Sequence, residues 1–201
     1  PDTMVMALNL KTLPPVTTAL ISVSALVALF SGLGANLDLL LGLFISSTLH
    51  GGLHEIQSGE IWRLFTPAFI HFGVLHFVFN MLWIWNLGTV IESLLGSSRL
   101  IILTLGIGIF SNLAQYYWSG PAFGGMSGIL YGLLGYLWIQ GRFNPGFGVI
   151  LNRSIVIMML VWFVLCWTGL LGPIANMAHT VGLATGIILG LIHVFGPYQR
   201  S

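Results

Sequence analysis

The chain has 201 residues, 56% hydrophobic and only 5% charged, with 26 glycines and a formal net charge of +1. A soluble domain carries about 25% charged residues, so a soluble surface cannot be assembled from this composition. A charge of +1 also leaves no basic patch to neutralise a row of phosphates, which argues against a nucleic-acid partner. The single cysteine, Cys166, excludes an intrachain disulfide framework and a four-cysteine zinc site. What remains is an all-α polytopic membrane protein.

A bilayer core about 30 Å thick takes roughly 20 apolar residues per helix. The charge-free stretches 12–37 and 64–91 each hold one span, and 100–141 and 154–199 each hold two. Breaks at Ser119-Gly120-Pro121 and at 169–173 divide the two long stretches. The predicted spans are 15–35, 71–92, 99–118, 127–141, 153–169 and 177–195, forming one six-helix unit over residues 1–201 with a long outer loop at 36–70. Strands are not expected, because period-2 alternation is missing and the runs exceed the roughly ten residues of a barrel strand. Lys11, Arg99, Arg142, Arg153 and Arg200 fall on one side and Arg63 alone on the other, so both termini are predicted to be cytoplasmic. Asp38, Glu55 and Glu60 then lie in the outer loop, which is too long for a turn. The first apolar stretch is too long for a signal-peptide h-region and lacks a small-residue cleavage pattern. Because the chain starts at Pro1 rather than Met, a preceding piece is expected to be missing.

Polar side chains at membrane depth are costly and point to function. Four stand out: Ser127 opening span 4, His179 near the start of span 6, and His76 and Asn80 early in span 2. The predicted topology puts all four in the outer half of the bilayer. A membrane serine usually bonds the carbonyl four residues back, but here the glycines add to the argument. Gly128 and Gly132 form one small-residue stripe, and Gly182, Gly186 and Gly190 form another. At about 100° per residue the second stripe falls within roughly 60° of His179. Spans 4 and 6 can therefore pack backbone to backbone and bring the Ser127 hydroxyl to the His179 imidazole, a nucleophile with its base. Ile187, about 100° further round than Gly186, is predicted to face lipid.

None of the five acids is placed to orient His179, which predicts a Ser-His dyad. Tyr131, four residues after Ser127 and about 40° round the helix, is the candidate to set its ring against the imidazole. His76 and Asn80 are i, i+4 on one helix face, so both can serve as donors for an oxyanion, or bond another helix. Ser127 itself sits where free N–H groups and the helix dipole favour negative charge. The serine motif Gly125-Met126-Ser127-Gly128-Ile129 lacks the second glycine of the G-x-S-x-G elbow, which excludes an α/β-hydrolase. His50 and His54 share i, i+4 spacing, but no H-E-x-x-H is present, and neither a metal nor a cofactor is expected.

Taken together, Trp62-Arg63, His71, His76 to Asn80 as H-F-V-F-N, Gly124 to Gly128 as G-G-M-S-G, Tyr131, and Ala175-Asn176-Met177-Ala178-His179 with Gly182 and Gly186 carry a resemblance. In this order and topology the sequence resembles the rhomboid intramembrane serine proteases, most closely their GlpG-type bacterial members, from about Trp62 to Ile192. The resemblance implies a six-transmembrane-helix rhomboid fold with Ser127 as nucleophile, His179 as base, and Ser127 N–H, His76 and Asn80 as the oxyanion hole. It further implies that the 36–70 loop lies partly in the membrane, that Gln115 helps hold the catalytic water, and that Phe79 and Trp162 form a lateral gate between spans 2 and 5. Gly125, Gly128 and Asn176 belong to the matched motifs as supporting residues. GlpG-type members usually carry a cytoplasmic domain ahead of span 1, which this sequence does not include.

The expected activity is endoproteolysis of single-span membrane proteins near the outer leaflet of a bacterial inner membrane. Substrate segments that are locally unwound by small or helix-breaking residues should be preferred, since helical carbonyls are otherwise hydrogen-bonded. A pseudoprotease of the same fold would not need both Ser127 and His179. A small transporter would show interrupted segments at matching positions in two halves, and these are missing.

Overall fold

The computed structural model describes residues 13–48, 52–148 and 151–196. Within them the chain is helical throughout: α1 (Pro15–Phe30), a short α2 (His54–Gln57), α3 (Val74–Leu95), α4 (Ser97–Ser119), α5 (Ser127–Phe143), α6 (Arg153–Trp167) and α7 (Asn176–Phe195). The helices α1 and α3 to α7 correspond to the six predicted spans. Among the described residues α3, α4 and α7 are long and apolar enough to cross a membrane by length and composition, while α1 and α6 are apolar but shorter. Lys11, Arg200, Asp2 and His50 lie outside the described residues.

The bundle has its polarity turned outside in. Thr17, Ser24, Asn80, Glu92, Ser111, Asn112, Gln115, Gln140 and His179 are buried, while Leu29, Phe30, Leu75, Ile102 and Val164 are more than half exposed. Lipid is the solvent that suits such a surface. At the centre stands α5, whose Ile129, Leu133, Tyr136 and Leu137 are almost fully enclosed. Its most extensive neighbour is α7, followed by α4. In contrast, α6 is attached chiefly through side chains. Phe163 packs edge-on against Tyr131, Trp167 against Trp118, and the Met159 carbonyl accepts the Tyr131 hydroxyl at 3.2 Å.

Several element ends differ from the predicted spans. The first helix stops at Phe30 rather than 35, because Gly32, Leu33 and Gly34 take positive φ values of 60°, 56° and 84° and an α-helix cannot continue through that conformation. The second begins at Val74 after Gly73 at φ 87°, and the fifth ends at Trp167. At the far end of α3, Glu92 takes the role of a cap for another helix. Its carboxylate accepts Val16 N–H, Thr17 N–H and Thr17 Oγ1, each at 2.8 Å, and Ser97 Oγ at 2.7 Å. The charge thus lies at the positive end of α1 and ties α1, α3 and α4 together.

The described residues of the connection from α1 to α3 form a scaffold of α2 and three 3-10 turns, Asp38–Leu40, Ile61–Leu64 and Thr66–Phe69. It is organised round Arg63, only 6% exposed. Arg63 Nη1 donates to the carbonyls of Leu41 at 2.6 Å and Phe44 at 2.9 Å, and Nε donates to Glu60 at 2.6 Å. Those bonds engage three of the five guanidinium N–H donors and offset the cost of burying the charge. Thr66 Oγ1 adds a bond to Leu43 O, and Asn112 of α4 donates to Leu64 O at 2.9 Å, joining the loop to the bundle.

Candidate active site

The floor of the site is set by the loop. Gly125 N–H donates to Pro67 O at 3.0 Å, and a side chain at Gly124 would fall within 3.0 Å of Ile70, so the segment leading to Ser127 lies directly on residues 67–70. Gly125 is held at φ 122°, and a Cβ there would meet the His76 ring at 2.6 Å from Nε2. Only glycine fits both the backbone and the imidazole lying over it.

Ser127 begins α5 and His179 lies in the first turn of α7. Gly128 and Gly182 oppose each other across the two helices, as do Gly132 and Gly186. A Cβ at Gly182 would meet the backbone of Gly128, and one at Gly186 the backbone of Gly132, each closer than 3.0 Å. At Gly190 the neighbours are Ile139 and Tyr136 O. This backbone contact sets a Ser127 Oγ to His179 Nε2 distance of 2.7 Å, with His179 4% exposed. Ile187 departs from the sequence expectation. It is half-buried, and its Cγ1 lies 3.2 Å from where a Gly135 Cβ would be, so it faces α5. With glycines on both helices the contact stripe is wide enough to include a residue 100° from its centre. The lipid-facing neighbour is Ile188, 55% exposed.

Around the imidazole, the Tyr131 ring stands 4.8 Å away centroid to centroid at 41°, and its hydroxyl reaches across to α6. His179 Nδ1 is buried without a hydrogen-bond partner among the described residues. His76 Nδ1 accepts Phe72 N–H at 3.3 Å, which leaves the proton on Nε2, the atom facing Gly125. Asn80 Nδ2 donates one proton to His76 O at 2.7 Å, and its second proton remains available.

Gln115 and Asn176 hold the entry to α7. Gln115 Oε1 accepts Ala178 N–H at 3.0 Å while Nε2 donates to Ser119 Oγ at 2.7 Å, pinning the residue before His179 to α4. Asn176 Nδ2 donates to Cys166 O at 3.0 Å and so ties α7 to the end of α6. Phe79 and Trp162, both about half exposed, stack at 6.2 Å and 20° between α3 and α6. Among the described residues no cluster of metal-ligating side chains occurs.

A protein-family model described as "Rhomboid domain" matches residues 58–195, well over half of the chain. The chain belongs to the rhomboid family. It is similar to "Rhomboid protease GlpG" of Klebsiella pneumoniae subsp. pneumoniae and of Klebsiella pneumoniae strain 342. It is 42% identical to each over 143 residues, 71% of this chain and 52% of the relative. The chain thus spans about half the length of the curated relatives it matches. The rhomboid assignment makes this a multi-pass membrane protein with an all-helical rhomboid fold.

Sequence patterns missed Asn112, and they gave no role to Arg63 and His71, which enter only as matched segments of the rhomboid resemblance. His71 is fully buried with its ring 5.1 Å from that of His76, and its Nδ1 lies 3.1 Å from Phe69 O. A histidine two residues ahead of a glycine-started helix gives no periodic signal.

Proposed function

We propose that this chain is the membrane core of an intramembrane serine endopeptidase acting through a Ser127-His179 dyad. The observation that carries this reading is the 2.7 Å contact between Ser127 Oγ and His179 Nε2 inside the apolar bundle. Neutral imidazole takes the hydroxyl proton as Oγ attacks a peptide carbonyl, and the imidazolium then returns that proton to the leaving amine. An acyl ester on Ser127 remains, which water hydrolyses with His179 again as base. The first α5 hydrogen bond is Leu130 N–H to Met126 O, so Ser127 N–H has no intrahelical acceptor and can meet the oxyanion. His76 Nε2–H and the second Asn80 Nδ2 proton are the further donors. Without a carboxylate on Nδ1, the Tyr131 face holds the imidazole in orientation. Gln115, through its remaining Nε2 proton, supplies a bond for the hydrolytic water. No cofactor is needed.

Substrates are single-span membrane proteins that enter laterally between α3 and α6, where the Phe79 and Trp162 rings stack across the gap. Exposed Leu37, Leu39, Ile61 and Trp62 support partial immersion of the loop in lipid. Arg142 lies at the opposite end of α5 from Ser127, about 23 Å along the axis. With Arg99 and Arg153 cytoplasmic as well, the termini are inside and the dyad is near the outer leaflet. Bacterial relatives support an inner-membrane location. The test is hydrolysis of a fluorogenic single-span substrate in liposomes. Ser127→Ala and His179→Ala should each lose nearly all turnover, with the double variant no worse than either single. Substantial cleavage by folded Ser127→Ala would overturn the assignment.

A further inference from the structure

At the end of the bundle opposite Ser127, a groove of about 320 Å³ opens between the last turn of α5 and the first turns of α6. Its walls are Trp138, Leu151, Val156 and Ile157, and Arg142 and Arg153 stand at it, both exposed. We propose that this groove binds an anionic phospholipid, the two guanidinium groups holding the headgroup phosphate and the apolar walls the start of the acyl chains.

The charge inventory supports that occupant. The whole chain has five acids. Asp2 lies outside the described residues, Asp38, Glu55 and Glu60 belong to the loop at the Ser127 end, and Glu92 is committed to α1 and Ser97. The single ion pair among the described residues is Arg63 with Glu60, so neither groove arginine has a carboxylate partner among them. Arg142 has instead an aromatic neighbour, its Cζ 5.5 Å from the Phe143 ring centroid. Two unpaired guanidinium groups above an apolar cleft, at the level where a bundle leaves the hydrocarbon, complement a molecule that is anionic at one end and apolar at the other. Free phosphate would leave the apolar walls uncovered, and a neutral lipid would leave the arginines unneutralised. Such a lipid joins the foot of α6 to α5, where α6 otherwise lacks close backbone contact with that helix.

The experiment is native mass spectrometry of the detergent-solubilised Ser127→Ala chain, whose lipid binding is read independently of catalysis. Phosphatidylglycerol or phosphatidylcholine with matched acyl chains is added, and a third arm uses inorganic phosphate with thermal melting. Phosphatidylglycerol should be retained at least about 10-fold better than phosphatidylcholine and should raise the melting temperature, while phosphate should not. Arg142→Gln and Arg153→Gln should each weaken retention by about five-fold and together by roughly 30-fold, whereas Arg99→Gln should leave it unchanged. Equal retention of the two lipids, undiminished retention by the double variant, or stabilisation by phosphate equal to that by phosphatidylglycerol would each overturn the proposal.

Discussion

Replacing Gly186 with alanine adds one methyl group about 10 Å along α7 from His179, too far to touch the dyad. The new Cβ would meet the O, C and Cα atoms of Gly132, all backbone and all closer than 3.0 Å, so no side chain can turn aside to admit it. The two helices must separate by on the order of 1 Å to restore van der Waals contact, and overpacking of this kind costs about 1–3 kcal/mol. Because α7 carries His179 rigidly, part of that separation reaches the 2.7 Å Ser127-His179 contact and stretches it beyond hydrogen-bond range. A displacement of about 1 Å at reacting atoms lowers the rate by about 10²-fold. Thermal melting and kcat/KM on a liposome-embedded substrate should therefore fall together. Ile188→Phe, on the lipid face about 200° round α7 from Gly186, should change neither. If Gly186→Ala and Ile188→Phe behave alike in both measurements, the glycine contact does not set the dyad geometry.

The oxyanion donors should show a different signature. His76→Ala and Asn80→Ala are each expected to lower kcat by about 10-fold to 10³-fold with little change in KM. A melting defect with kcat intact would make either residue structural. Arg63→Lys keeps the charge but cannot reach Leu41 O, Phe44 O and Glu60 at once, so it should cost about 3 kcal/mol and lower the melting temperature. An unchanged melting curve would show that the buried fork does not hold the loop.

What the sequence disclosed follows from periodicity. Gly128, Gly132, Gly182, Gly186 and Gly190 repeat at helical spacing, and small residues in membrane helices serve close packing, so the Ser127-His179 encounter is legible in the sequence. The width of that packing is not. Helical angle alone predicts that Ile187 faces lipid, because it ignores how broadly two glycine-lined helices touch. The tautomer of His76 was equally hidden, since it depends on Phe72 N–H, a loop donor with no sequence mark. The burial of Arg63 is not legible either, since it depends on the carbonyls of Leu41 and Phe44, about twenty residues earlier. The early stop of α1 could have been anticipated from Ser31-Gly32-Leu33-Gly34, but the apolar run beyond it obscured the signal.

The central claim is that Ser127 is made nucleophilic by His179, and covalent labelling tests it most directly. The folded chain in detergent is treated with a fluorophosphonate, and the adduct is located by mass spectrometry of the digested protein. A single adduct should appear on Ser127, and the rate of its formation should fall by at least about 10²-fold in His179→Ala. Labelling of Ser127 at the same rate in folded His179→Ala, or labelling of another residue with Ser127 untouched, would contradict the account.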